Sequence, residues 1–306
     1  MRKIKADVKQ ISAIANIAFD MANLPMAHGV MRMAQIANVN LLKSIDRICR
    51  ENGINYFVIG GGIVGLLRHG GKCIPWDDDC DIGMLSGDFI KFINVIEKFL
   101  PNKSFQIKRW PQLLRIEATD FSCFIDILAY VSYESPDCYA NPELLTCCLR
   151  RFRRHVRIGK KLHLWHRRHV KVSYAWEKKK MRFGQIRDDF ARLCKLHADY
   201  MSPAICSGKH QTIIPLAWDC KLGEFYDFDT IFPLRECDFE GIRVMFPNDP
   251  EIYAAKCWGD IYKFPNDIGR LHSTSKKLSV LQKILVLRKL NSMTDEERFA
   301  MFKGCA

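Results

Sequence analysis

Apolar positions recur at helical spacing over residues 29–51, where Leu41, Leu42, Ile45, Ile48 and Cys49 fall on one face. Asn52-Gly53 supplies a stop. The period then changes. Residues 54–59 are a short run with β-branched side chains, the pattern of a buried strand, broken by Gly60, Gly61 and Gly62. A short helix follows, and residues 79–84 read as a second strand. Residues 86–100 carry a helical stripe of Phe89, Ile90, Ile93, Ile96 and Leu100, with Pro101 at its end. Three strand candidates come next, at 104–109, 113–118 and 121–131. Residues 186–200 read as a helix, and 211–216 and 239–246 as strands, the latter turning at Glu240-Gly241. Asp249 before Pro250 is a good N-cap for a helix through Cys257. The apolar stretch 279–290 reads as a closing helix.

The chemistry concentrates after the triple glycine. Glycines let the backbone approach a ligand, and the free N–H groups of the helix that starts there suit a phosphate. Arg68 and His69 follow, then Asp77, Asp78, Asp79 and Asp81. On a strand, Asp79 and Asp81 project from one face. Asp77 shares their parity but sits at the strand's entrance, and Asp78 points away. Two adjacent carboxylates repel, and the usual reason to keep them is a hard divalent cation bound with phosphate. A solvated acidic turn is the alternative for so short a motif. The glycine turn and Arg68 favour the site. Farther on, Phe124-Ile-Asp-Ile-Leu128 embeds an aspartate in an apolar strand, which is costly unless it binds something. Asp126 is therefore the third metal-site carboxylate.

These residues resemble the LicD/fukutin-type family of phosphotransferases. The matching residues are Gly60-Gly61, Gly65, Arg68-His69-Gly70, Ile74-Pro75-Trp76-Asp77-Asp78-Asp79 and Asp81-Ile82-Gly83. A second block matches at Phe232-Pro233-Leu234, Phe239-Glu240-Gly241, Pro247-Asn248-Asp249, Tyr253, Gly259-Asp260, Arg270 and His272. The resemblance implies an α+β fold: a nucleotidyltransferase-like mixed sheet flanked by helices, with a basic, mostly helical insertion and C-terminal helices. Residues 1–140 would hold the leading helices and catalytic core, 141–210 the insertion, and 211–306 the late block and closing helices, all in one compact unit. It also implies that Asp79, Asp81 and Asp126 hold Mg²⁺ or Mn²⁺. Gly60, Gly61, Gly62 and His69 would lie at the donor's phosphates with Arg270 and His272, and Arg68 would neutralise charge during transfer. Family members carry Thr or Ser where this chain has Gly62, so a hydroxyl donor is missing here.

Composition narrows the setting. The chain has 306 residues, 48% of them hydrophobic, enough for a sizeable core. Its formal net charge of +13 favours polyanionic partners. Thirteen scattered cysteines fit reduced thiols in a cytosolic setting. The N-terminal apolar stretch 11–19 is interrupted by polar residues and reads as an amphipathic leading helix rather than a signal peptide. No run approaches the ~20 apolar residues of a membrane-spanning helix.

From residue 141 to 184 basic residues accumulate, Arg150, Arg151, Arg153 and Arg154 among them, interleaved with Phe152, Trp165 and Trp176. Such a segment suits RNA or an anionic membrane surface. The membrane is preferred, because the family modifies lipid-linked or envelope glycans; the protein would then be cytoplasmic, peripheral on the membrane's inner face. The spacing of Cys194, His197, Cys206 and His210 lacks the tight knuckle of structural zinc. The expected function is metal-dependent transfer of a phosphocholine-like or polyol-phosphate group from a CDP-linked donor to a hydroxyl of a surface glycan or its lipid-linked precursor. Two other readings stand beside it: nucleotidyl transfer to RNA or a small molecule, and a non-catalytic basic scaffold derived from a transferase.

Overall fold

The computed structural model describes residues 20–96, 98, 105–110, 113–118, 123–135, 142–169, 183–205, 210–216 and 224–263. Arg270, His272, the leading stretch 11–19 and the closing helix at 279–290 lie outside the described residues.

After a short 3-10 turn, α1 (Gly29–Glu51) leads into β1 (Phe57–Ile59), α2 (Gly61–Arg68), β2 (Cys80–Leu85) and α3 (Ser86–Ile96). Then come β3 (Phe105–Trp110), β4 (Leu113–Ala118) and β5 (Cys123–Ser135). The helices α4 (Pro142–His169) and α5 (Phe183–Met201) form a pair. The chain returns through β6 (His210–Pro215), β7 (Tyr226–Asp227) and the short α6 (Phe228–Ile231). It goes on with the hairpin β8 (Arg235–Phe239) and β9 (Ile242–Phe246), then α7 (Pro250–Trp258). The architecture is α+β with a mixed sheet, as expected.

The sheet runs β1-β2-β5-β4-β3, and β6 joins β5 with β7 beyond it. The pairing of β2 with β5 is parallel and the other pairs are antiparallel. β5 has 13 residues, long enough to pair β2 and β4 at one end and β6 at the other. It therefore ties the first half of the chain to the returning strands.

Side chains alternate across the sheet. Cys80, Ile82 and Met84 of β2, Ile125, Ile127 and Ala129 of β5, and Leu114 and Ile116 of β4 are all buried. That face is continuous hydrophobic core, and α1 and α3 pack on its strands. The opposite face divides along its length. At one end the ring of Tyr130 meets Phe57 at 5.2 Å, its hydroxyl meets that of Tyr253 on α7 at 2.9 Å, and Phe57 also meets Phe232. At the other end lie Asp81 and Asp126. The late residues thus close the apolar half and leave the charged half uncovered by α7.

The N-cap at Asp249 forms as expected, its Oδ1 accepting from the amide of Ile252 at 2.8 Å. Under α4 and α5 lies a buried histidine. His197 Nδ1 meets the Tyr133 hydroxyl at 2.7 Å, and its ring stacks on Tyr133 and abuts Phe152. Burial, with the charge of Arg153, pushes its pKa down to about 3. The unfolded chain takes up that proton near the ordinary value of about 6.5, while the folded chain does not. His197 therefore withdraws stability as pH falls from about 6.5 toward 3. Replacing His197 with Phe is expected to flatten the acid side of the stability profile. Between pH 6 and 4 the decline in unfolding free energy, measured by urea titration, should lessen by up to about 1.4 kcal/mol per pH unit. An unchanged slope would show that His197 is not the group responsible.

Candidate active site

The charged end of the sheet brings three side chains into one row. Asp81 on β2 is in register with Asp126 on β5, and Asp126 is in register with Arg115 on β4. Asp79 lies one residue before β2, close enough for its charge to act on Asp81.

The glycine turn borders this row. Gly60 sits at φ +64 before α2, a backbone conformation that glycine adopts without strain. A side chain there would come 3.2 Å from Asp81 Oδ2, and one at Gly61 would overlap Asp77 Oδ2. The missing side chains of Gly60 and Gly61 thus make room for two carboxylates at the first turn of α2, where the helix dipole favours negative charge. Asp77, set at the strand's entrance by sequence, belongs to the site. Gly62 does something else. It is buried, and the Val58 side chain occupies the space where its Cβ would be. A Ser or Thr hydroxyl at this position would have to displace Val58.

Asp81 carries the electrostatic cost. The residue keeps some exposure, yet its Oδ1 is buried and has no hydrogen-bond partner among the described residues. Burial, then the charges of Asp79, Asp126 and Asp77, push its pKa well above the ordinary 3.8, against the pull of Arg115. Asp126 is held differently. Arg115 donates from Nε to Oδ1 and from Nη2 to Oδ2, both at 2.6 Å. Among the described residues no three His, Cys, Asp or Glu side chains are gathered to hold a metal ion. Both Asp126 oxygens are committed to Arg115. The donor set still fits a hard divalent cation. It is all oxygen, the carboxylate charges raise one another's cost, and a buried Asp81 oxygen lacks a donor.

The acidic loop is pinned from α1 by buried polar side chains. Gln35 Nε2 donates to the carbonyls of Ile74 and Asp77, each at 2.9 Å. Asn38 Nδ2 donates to the Asp78 carbonyl at 2.7 Å, and its Oδ1 accepts from the Phe124 amide at 2.8 Å. Asn38 thus bridges the loop to the strand that carries Asp126. The loop's other end meets the β8–β9 hairpin. Glu240, at φ +53 in the turn, accepts from Arg32 on both oxygens at 2.8 and 2.7 Å, and from the Cys73 amide at 2.8 Å. Burial opposes its charge, but Arg32 and that amide outweigh it and hold its pKa below the ordinary range.

Arg68 lies at the far end of α2, 6% exposed, and its guanidinium stands over Trp76 at 5.4 Å. It donates to the carbonyl of Ile261 and to His69 Nε2, and no carboxylate pairs with it among the described residues. Burial lowers its pKa. Burial and Arg68 together push His69 down to about 4, so the ring is neutral near pH 7 and Nε2 is an acceptor. His69 therefore orients Arg68. Trp76 packs against both, 5.4 Å from the Arg68 guanidinium and 6.4 Å from the His69 ring.

Arg115, Gln35 and Asn38 were missed by sequence reasoning. Each had a signal: an arginine within the Leu-Leu-Arg-Ile run of β4, and two polar residues three apart on the buried face of α1.

The domain is a mixed sheet with a glycine turn and strand carboxylates side by side. Residues 53–137 match the family model described as LicD/FKTN/FKRP, nucleotidyltransferase domain. A 65-residue segment is 35% identical to the lipopolysaccharide cholinephosphotransferase LicD of Haemophilus influenzae, covering 21% of this chain and 24% of that protein. Segments of 59 residues are 37% identical to an uncharacterized protein of Rickettsia typhi (19% of each chain) and 36% identical to one of Rickettsia prowazekii (19% of this chain, 22% of the other). The chain thus matches about a quarter or less of the length of these relatives. The later residues, from Phe232 onward, lie outside the matched region.

Because the folded state holds the Asp81 proton more tightly than the unfolded chain, ionised Asp81 costs stability above the ordinary carboxylate pKa of 3.8. Asp81→Asn is expected to raise unfolding stability at pH 7, without divalent cation, by at least about 1 kcal/mol. The gain should vanish near pH 4. Thermal unfolding of both forms at the two pH values checks this, and a destabilised variant at pH 7 would contradict it.

Proposed function

We propose that the protein is a metal-dependent phosphotransferase that moves a substituted phosphate, of the phosphocholine or polyol-phosphate kind, from a CDP-linked donor to a glycan hydroxyl. The observation that carries this reading is the cross-strand juxtaposition of Asp81 and Asp126 beside Asp79, Asp77 and the Gly60-Gly61 turn. The lipopolysaccharide cholinephosphotransferase among the relatives supports the transferred group. Asp79 and Asp81, with Asp126, are the residues that would hold Mg²⁺ or Mn²⁺. The bound ion would supply positive charge that offsets the donor's diphosphate.

The chain's own residues account for the rest. The first turn of α2 offers amide N–H groups to the same space as the carboxylates. Arg68, a buried cation with no acidic partner among the described residues, suits a phosphate oxygen, and His69 sets its orientation. The acceptor oxygen attacks the phosphorus bearing the transferred group, the bond from that phosphorus to CMP breaks, and CMP leaves with the bonding electrons. The acceptor's proton passes to a carboxylate, the role proposed for Asp126. Arg270 and His272 are proposed as further phosphate contacts.

The test is which product forms. With Mg²⁺ and a cytidine-diphospho donor the protein is expected to release CMP, slowly to water and faster with the right glycan. Asp79→Asn, Asp81→Asn and Asp126→Asn should each reduce release by at least about 100-fold. Pyrophosphate release from a nucleoside triphosphate that depends on an added acceptor, with CDP-linked donors inert, would assign the site to nucleotidyl transfer instead. A folded protein with neither activity and no cation-dependent stabilisation would be a scaffold.

The acceptor side points to an anionic surface. Arg150, Arg151 and Arg154 on α4 are exposed, and no ion pair engages them among the described residues. Arg153 does not share that face; it is 5% exposed and lies near His197. Replacing Arg150, Arg151 and Arg154 with Gln is expected to weaken co-sedimentation with phosphatidylglycerol vesicles severalfold, in a salt-sensitive manner. Loss of RNA binding with no vesicle binding at all would reassign the surface.

A further inference from the structure

Asn38 stands where a rung of the central sheet would be. β2 and β5 pair in parallel from Cys80 and Ile125 onward. One residue earlier in the same register, Asp79 would face Phe124, and a direct rung would run from the Phe124 amide to the Asp78 carbonyl. That rung is carried by a side chain. The Phe124 amide donates to Asn38 Oδ1 at 2.8 Å, and Asn38 Nδ2 donates to the Asp78 carbonyl at 2.7 Å. A buried side-chain amide thus takes the place of one bond of about 2.9 Å. Asp79 follows Asp78 directly, and Asp126 comes two residues after Phe124. The amide therefore lies between the backbones that carry the two aspartates. Gln35, one turn earlier on α1, donates to the Ile74 and Asp77 carbonyls and accepts from Arg32 instead.

Resting on the reading above for its use in transfer, we infer that Asn38 is a positioning residue: its amide is a strut of fixed length that holds the turn of Asp77, Asp78 and Asp79 at a set separation from the strand of Asp126. The strut has a firm base, because Leu41, Leu42 and Ile45 bury α1 in the core. It also resists breaking, since loss of either end leaves a buried donor or acceptor unpaired. The force it opposes is the mutual repulsion of the carboxylates, which falls on Asp81. Without the strut the acidic turn moves away from β5 and that repulsion relaxes. With it, the negative charge stays gathered beside the first turn of α2.

The test is a double-mutant cycle on the full chain, without nucleotide or divalent cation. Asp81→Asn relieves the repulsion, so it raises the melting temperature of wild type at pH 7 and leaves it unchanged near pH 4. In an Asn38→Ala background the carboxylates have already spread, and the rise at pH 7 is expected to fall to about half or less. Ser44→Ala is the control. It removes a buried hydroxyl bonded to the Asn40 carbonyl farther along α1, and should leave the rise unchanged. A rise in Asn38→Ala as large as in wild type, or larger, would overturn the inference and make Asn38 a support for the fold alone. Should Asn38→Ala not fold, hydrogen exchange of the Phe124 amide decides, since its bond ends on the strut. At pH 7 that amide is expected to exchange at least about threefold more slowly in Asp81→Asn than in wild type, while the Ile252 amide, bonded at the Asp249 cap, does not change. No slowing at Phe124, or the same slowing at Ile252, would overturn the inference. Neither measurement needs metal or donor. An additive cycle alongside CMP release would therefore sink this inference alone, and a coupled cycle without CMP release would sink the transfer reading alone.

Discussion

Asp81 sets the terms for the site. A largely enclosed carboxylate on an inner strand has three others close enough to raise its pKa. A cluster of that kind pushes itself apart unless the backbone beneath it is held, and much of the surrounding polar structure holds it. Gln35 and Asn38 grip three carbonyls of the acidic loop from α1. Arg115 neutralises Asp126. The first turn of α2 receives Asp77 and Asp81 against glycines that leave them space. Buried polar groups are stabilising only when every partner is present, so these contacts act as one unit.

The late part of the chain belongs to the same unit. Glu240 joins α1 through Arg32 to the start of the acidic loop through the Cys73 amide. Tyr253 closes the apolar half of the catalytic face through Tyr130. Ile261 takes a hydrogen bond from Arg68. Residues far from the carboxylates in sequence thus fix their backbone and orient the buried cation. This gives a physical reason for a block after residue 230 to accompany the acidic motif.

Period and punctuation were legible in the sequence. The α1 boundaries, the Asp249 cap and the hairpin turning at Glu240-Gly241 all follow from local signals. The acidic pair Asp79 and Asp81 before and on β2, and the aspartate Asp126 within an apolar strand, were also legible. What local pattern does not encode is who faces whom. The parallel pairing of β2 with β5 puts Asp126 beside Asp81, and the antiparallel pairing of β4 adds Arg115. The short β7 and α6 carry too few residues for a periodic signal. Arg153 reads as one more charge in a basic run, yet it is buried beside His197. Gly62 reads as part of a phosphate-binding turn, and its lack of a side chain also leaves room for Val58.

The most direct measurement is a crystal structure of the wild-type chain with Mn²⁺ and CDP, using the anomalous signal of manganese to place the ion. The account predicts a peak between Asp79 and Asp81 facing the Gly60-Gly61 turn. The nucleotide's phosphates should lie on the first turn of α2. An ion bound away from Asp81, or phosphates held away from the first turn of α2, would contradict it.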